Sequence, residues 1–159
     1  MNEIEHLENI QNVMNIDSSR PAITTALTHG VCRFLTERAF TPLREFKLAT
    51  KRRADVAGID AEGRFTLVEI KSSTADFRAD NKWHDYLAHG DFFYFAVDAS
   101  FPLELLPADH GILIADRYSA TLYREASETP MNGNRRRHQL LRFARQAGGR
   151  LERFVDPGV

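Results

Sequence analysis

The chain has 159 residues, 43% of them hydrophobic and 27% charged, with a formal net charge of −1. That is enough for one domain with a real core, too short for two ordinary domains, and too apolar for a disordered chain. The charge excludes a uniformly basic nucleic-acid binder, and the single cysteine, Cys32, excludes a disulfide framework or a Cys-rich zinc site.

The charge is unevenly spread. Residues 1–19 carry four acids (Glu3, Glu5, Glu8, Asp17) and no Lys or Arg, whereas residues 131–159 carry seven arginines against Glu152 and Asp156. The acidic start lacks the basic-then-apolar pattern of a signal peptide, and no apolar run approaches the roughly 20 residues of a membrane span. A cytoplasmic location without a membrane partner is the expectation. Residues 1–17 read as a poorly ordered acidic tail, and 18–159 as one domain.

In chain order, Ser18-Ser19-Arg20-Pro21 predicts a capped helix start with proline in the first turn. Ile23, Leu27, Val31 and Phe34 then form an apolar stripe, and the helix is expected to run to about Ala39, with Thr41-Pro42 as its break. Cys32 falls on its apolar half and reads as a small core residue. Three strands follow, at Leu43–Leu48, Arg53–Ile59 and Arg64–Lys71. A helix is expected over Ala79–Ala88, ended by His89-Gly90-Asp91. The continuous apolar run Phe92–Val97 predicts a buried central strand. Gly111–Ala115 and Ala120–Tyr123 predict a hairpin around Asp116–Ser119. A closing basic helix is expected over about Arg135–Phe154, with Leu140, Leu141, Phe143, Ala144 and Leu151 as its apolar side. The predicted order is α-β-β-β-α-β-β-β-α.

The chemistry concentrates on the third strand. Carboxylate-x-lysine occurs three times, as Glu45-Phe46-Lys47, Glu69-Ile70-Lys71 and Asp80-Asn81-Lys82. Asp60-Ala61-Glu62-Gly63 has the Asp and Gly positions of a type I turn closing a three-residue hairpin loop. Asp60 then lies opposite Arg64, Asp55 opposite Glu69 and Arg53 opposite Lys71. Two carboxylates directly opposite on one sheet face repel, and something must compensate. A Mg²⁺ or Mn²⁺ ion held by Asp55 and Glu69 is one answer, with Lys71 orienting or helping to deprotonate a water. A surface charge network with Arg53 and Lys71 is the other. Asp80 reads as a helix cap.

This arrangement resembles the PD-(D/E)xK nuclease superfamily, with its restriction endonuclease-like core. More narrowly, Arg52-Arg53-Ala54-Asp55, Val68 to Ser73, Ala75 to Asp80, Lys82-Trp83 and Phe93 to Val97 resemble the MmcB-like family of bacterial DNA-repair proteins. The resemblance implies an α/β fold with a mixed central sheet flanked by helices, and a role in DNA repair. It also implies a metal site made by Asp55, Glu69 and the Ile70 backbone carbonyl, with Lys71 positioning the water. Ala54 stands where the superfamily has proline. For the superfamily's additional acid the candidates are Glu37 and, preferred, Glu45.

DNA contacts are expected from Lys82, Ser72, Arg53 and the run Arg135-Arg136-Arg137, part of a basic C-terminal face that continues through Arg142, Arg145 and Arg150. Trp83 reads as core, and the six histidines show no metal-ligand spacing. The leading expectation is a Mg²⁺- or Mn²⁺-dependent DNA-repair nuclease. The alternative is a non-catalytic DNA-binding or scaffold module that keeps the nuclease fold. DNA is the expected partner, other repair proteins and a second copy of the chain being left open.

Overall fold

The computed structural model describes residues 19–158; the predicted acidic tail lies outside them. Helix α1 (Arg20–Glu37) starts as expected, with Ser19 Oγ accepting a hydrogen bond from the Ala22 amide at 3.4 Å. Strands β1 (Thr41–Lys47), β2 (Arg53–Ile59) and β3 (Phe65–Ile70) follow. A short helix α2 (Thr74–Ala79) leads into a 3₁₀ helix at Lys82–His89. Then come β4 (Phe92–Val97), a 3₁₀ turn at Leu103–Leu105, β5 (Gly111–Ala115), β6 (Ala120–Arg124) and helix α3 (Gly133–Val155).

The six strands form one mixed sheet in chain order. The pairs β1–β2, β2–β3 and β5–β6 are antiparallel, while β3–β4 and β4–β5 are parallel. All six residues of β3 are buried, as are five of the six in β4, as strands covered on both faces require. Leu27, Val31 and Leu35 of α1 pack on one face against Val56, Val68, Tyr94 and Leu113. The α1 backbone comes so close to the β5–β6 turn that a Cβ on Gly30 would lie 2.1 Å from the Asp116 carbonyl oxygen. The other face buries Phe46, Phe65, Leu67 and Phe95 beneath Trp83 and Phe143.

The β2–β3 register follows from the turn chemistry. Asp60 Oδ1 accepts from the amides of Glu62 (3.0 Å) and Arg64 (2.9 Å), and Gly63 takes φ +77°. The pairs Ile59–Phe65 through Val56–Val68 place Asp55 opposite Glu69, although the ladder itself stops short of them.

Three expectations need correction. Pro42 does not mark the end of α1; it sits inside β1, an edge strand, where a missing amide hydrogen is tolerated. The helix expected over Ala79–Ala88 is broken at Asp80, whose backbone is extended (φ −107°, ψ 111°). Its Oδ1 accepts from the Lys82 amide at 2.7 Å and its Oδ2 holds the Lys71 ammonium. Finally, α3 seats only part of the expected apolar side: Phe143 and Leu140 pack on the core, whereas Leu141, Ala144 and Leu151 are exposed. Its seated face is the stripe Arg136, Gln139, Phe143, Gln146 and Arg150, most of it fastened by hydrogen bonds. Gln146 bridges the Lys47 amide (3.0 Å) and carbonyl (2.8 Å), and Arg150 binds the Arg44 and Glu45 carbonyls. Leu141 and Leu151 face outward.

Candidate metal-binding cleft

A cleft of about 400 Å³ opens at the C-terminal end of β3. It is lined by Asp55, Glu69, Ile70 and Lys71 from the sheet, by Asp76, Asp80, Lys82 and Tyr86 from α2 and the 3₁₀ helix, and by Arg20 and Thr24 of α1. Alternation along β3 puts Glu69 and Lys71 on the face that carries Phe65 and Leu67.

The charged groups are buried. Glu69 is 8% exposed and Lys71 2%. Lys71 Nζ donates to Glu69 Oε1 at 3.3 Å and to Asp80 Oδ2. Glu69 Oε2 is buried with no hydrogen-bond partner. Across from it, Asp55 Oδ2 accepts the Ile70 amide at 2.7 Å. The carboxylate of β2 therefore takes an amide of β3 that lies just beyond the last backbone pair.

Electrostatics sort these groups. Burial, with the Asp55 carboxylate beside it, raises the Glu69 carboxyl to about 8, and the Lys71 ammonium only partly offsets this. Burial also raises Asp55, against the Ile70 amide and the Lys71 charge. For Lys71, burial opposes the charge, but the hydrogen bond to Asp80 and the Glu69 carboxylate outweigh it, so the ammonium is held above its usual value. Lys71 is therefore a cation that can donate, rather than a base. Asp80 is held below the usual carboxylate range: burial is outweighed by the Lys71 hydrogen bond and the Lys82 amide. One ammonium is shared by two carboxylates, and Asp80 holds the larger share of it.

The cleft gathers Asp55, Glu69, Ile70, Lys71 and Lys82, and Ser72 stands at its margin, its amide and hydroxyl on Asp76 Oδ2 at 3.2 and 3.4 Å. Other expected members lie elsewhere. Glu45 has φ +49°, which turns it out of the β1–β2 ladder; its exposed carboxylate lies 3.6 Å from the Arg53 guanidinium, so neither side chain lines the cleft. Glu37 is exposed at the end of α1. Arg135 and Arg137 are exposed on α3. Arg136 is not an outward DNA contact: its two terminal nitrogens grip both oxygens of Asp91 at 2.7 and 2.6 Å.

Sequence reasoning missed Arg20, Thr24, Asp76, Asp80 and Tyr86 as cleft residues. Asp76 is ion-paired with Arg20, and the Tyr86 hydroxyl donates to the Arg53 carbonyl at 3.0 Å. The available signal was the i, i+4 spacing of Asp76 and Asp80 directly after a lysine that needed a counter-charge.

Among the described residues, no three His, Cys, Asp or Glu side chains gather to ligate one ion. A cation held here would draw on the two carboxylates of Asp55 and Glu69, with water completing its shell. The unpartnered Glu69 Oε2 and the facing Asp55 carboxylate fit that hard oxygen donor set.

The sheet order and flanking helices define an α/β protein consistent with a restriction endonuclease-like core, with a buried acid-acid-lysine cleft at its sheet end. The family model for the DNA repair protein MmcB-like family matches residues 11–158, and the chain belongs to that family. The chain is also similar to a solved structure, the SPO1766 protein of unknown function from Silicibacter pomeroyi. The two share 44% identity with a TM-score of 0.80, over 82% of this chain and 90% of that one. No curated protein matches the sequence. No helix among the described residues is long and apolar enough to cross a membrane.

Proposed function

We propose that this member of a DNA-repair family is a Mg²⁺- or Mn²⁺-dependent nuclease that hydrolyses DNA phosphodiester bonds at the cleft. The observation that carries this reading is the buried, unpartnered Glu69 Oε2 facing Asp55 with the Lys71 ammonium alongside. Leaving a buried carboxylate oxygen unpaired is costly, and a site that binds a cation accounts for its retention. Asp55, Glu69 and the Ile70 carbonyl hold the cation. When bound, it supplies positive charge against the phosphate and favours ionisation of water near neutral pH.

The chain's own residues do the rest. Asp55 is oriented by the Ile70 amide. Lys71, pinned between Glu69 and Asp80, has a third N–H with which to orient the attacking water. Lys82 at the cleft wall offers a cation to the substrate phosphate. The test is cleavage of nicked, branched, single-stranded and plain duplex DNA with Mg²⁺ or Mn²⁺ by wild type, Asp55→Ala and Lys71→Ala. Loss of cleavage in both variants is expected; undiminished cleavage by both would sink the mechanism.

A second reading, a DNA-binding or scaffold module without catalysis, is favoured by the strong hold of Asp80 on Lys71 and the lack of a third converging acid among the described residues. It expects DNA binding with no metal-dependent cleavage by the wild type.

A further inference from the structure

Helix α3 borders an open groove of about 950 Å³, separate from the cleft. Arg135, Arg142, Arg145 and Arg153 line it, together with His138 and Gly149. These six positions recur at three- and four-residue steps along one side of the helix, a stripe about 27 Å long at 1.5 Å per residue. The stripe is distinct from the seated face that carries Arg136 and Arg150. No carboxylate lines the groove, and among the described residues none of the four arginines meets an acid within 4.0 Å. A row of cations with no acid beside it gives the groove a positive potential that attracts a polyanion.

The groove and the cleft are bordered by some of the same elements. The 3₁₀ helix Lys82–His89 contributes Lys82 and Tyr86 to the cleft and His89 to the groove. The β1–β2 turn contributes Ala49 to the groove, a few residues before Arg53 and Asp55.

We infer that this groove is a docking track for the phosphate backbone of duplex DNA, with Arg135, Arg142, Arg145 and Arg153 binding the phosphates. The occupant is a duplex rather than a single strand because no Phe, Tyr or Trp lines the groove to stack an unpaired base. At about 3.4 Å per base pair the stripe spans about eight base pairs of a duplex. Choosing DNA among polyanions rests on the proposed function; the groove's preference for a polyanion does not.

The test is fluorescence anisotropy of a labelled duplex of two helical turns, titrated with the full chain in EDTA at several salt concentrations. The triple variant Arg142→Gln/Arg145→Gln/Arg153→Gln is expected to bind on the order of tenfold or more weakly. Its salt slope is expected to be lower by about 2–3, at about 0.9 for each phosphate that is no longer neutralised. Arg136→Gln is expected to lower thermal stability while keeping the slope. An unchanged slope in the triple variant, tighter binding of single strands through the same arginines, or equal competition by polyglutamate or anionic phosphatidylglycerol vesicles would overturn the inference. Because no metal is present, a wild type that never cleaves DNA removes the nuclease reading and leaves this test intact.

Discussion

Two buried carboxylates in this molecule have opposite fates. Asp91, 1% exposed, has both oxygens filled: Oδ2 accepts from the Phe65 amide and Arg136, Oδ1 from the Met131 amide and Arg136. Burial alone would raise it, yet Arg136 and the two amides hold it below the usual carboxylate range. It clamps the start of β4, the β2–β3 hairpin and the start of α3 together. Glu69, 8% exposed, shares its one ammonium with Asp80 and keeps an empty oxygen. A carboxylate whose acceptor sites are all filled is a structural fastener; one left short of donors beside a second acid is where the proposed cation would be held.

Substitution separates the two. Asp91→Ala is expected to destabilise the fold by about 3–5 kcal/mol, measured by urea unfolding, because it strands the Arg136 charge and two buried amides. A cost below about 1 kcal/mol would remove Asp91 from the role of clamp. Lys71→Ala is expected to lower metal-dependent cleavage on the order of 10²–10³-fold, the range for losing a preorganised donor, while sparing DNA binding in the groove. Single-turnover assays at saturating DNA check this.

The third expectation has opposite signs at the two sites. Glu69 titrates near 8 in the fold and near 4.5 when unfolded, so the unfolded chain loses its proton first. Its contribution to stability falls as pH rises from about 5 to about 8. Glu69→Gln is expected to gain on wild type over that window, and millimolar Mn²⁺ to narrow the gap by stabilising wild type alone. Asp91, with its folded value lowered, stabilises above the usual carboxylate range and loses that contribution as pH falls through its folded value. Thermal melts of wild type, Glu69→Gln and Asp91→Asn across pH would expose a failure of either sign. The smallest effect belongs to the exposed Arg52–Asp85 pair at 3.0 Å, where Arg52→Gln is expected to shift stability by less than about 0.5 kcal/mol in the same melts.

Much of this was legible in the chain because it is local. The Asp60–Gly63 turn determined the β2–β3 register, and that register put Asp55 opposite Glu69 without knowledge of any other element. The apolar run Phe92–Val97 declared a central strand, and β-alternation put Glu69 and Lys71 on one face. The sheet class and the acid-acid-lysine core of the cleft follow from these short-range rules, since turn geometry and strand pleat act over a few residues.

Tertiary structure decided which charges meet. Arg135, Arg136 and Arg137 are indistinguishable in the sequence, but helical rotation sends Arg136 inward to Asp91 and leaves its neighbours outside. Asp80 reads as the cap of the helix that follows it; in the fold it ends α2, Asn81 stands at the start of the 3₁₀ helix, and Asp80 is set against Lys71, nine residues away. Glu45 sits in register with Asp55, and one positive φ removes it from the cleft. Burial and long-range partners control ionisation and hydrogen bonding, and both depend on distances through space that no spacing along the chain contains.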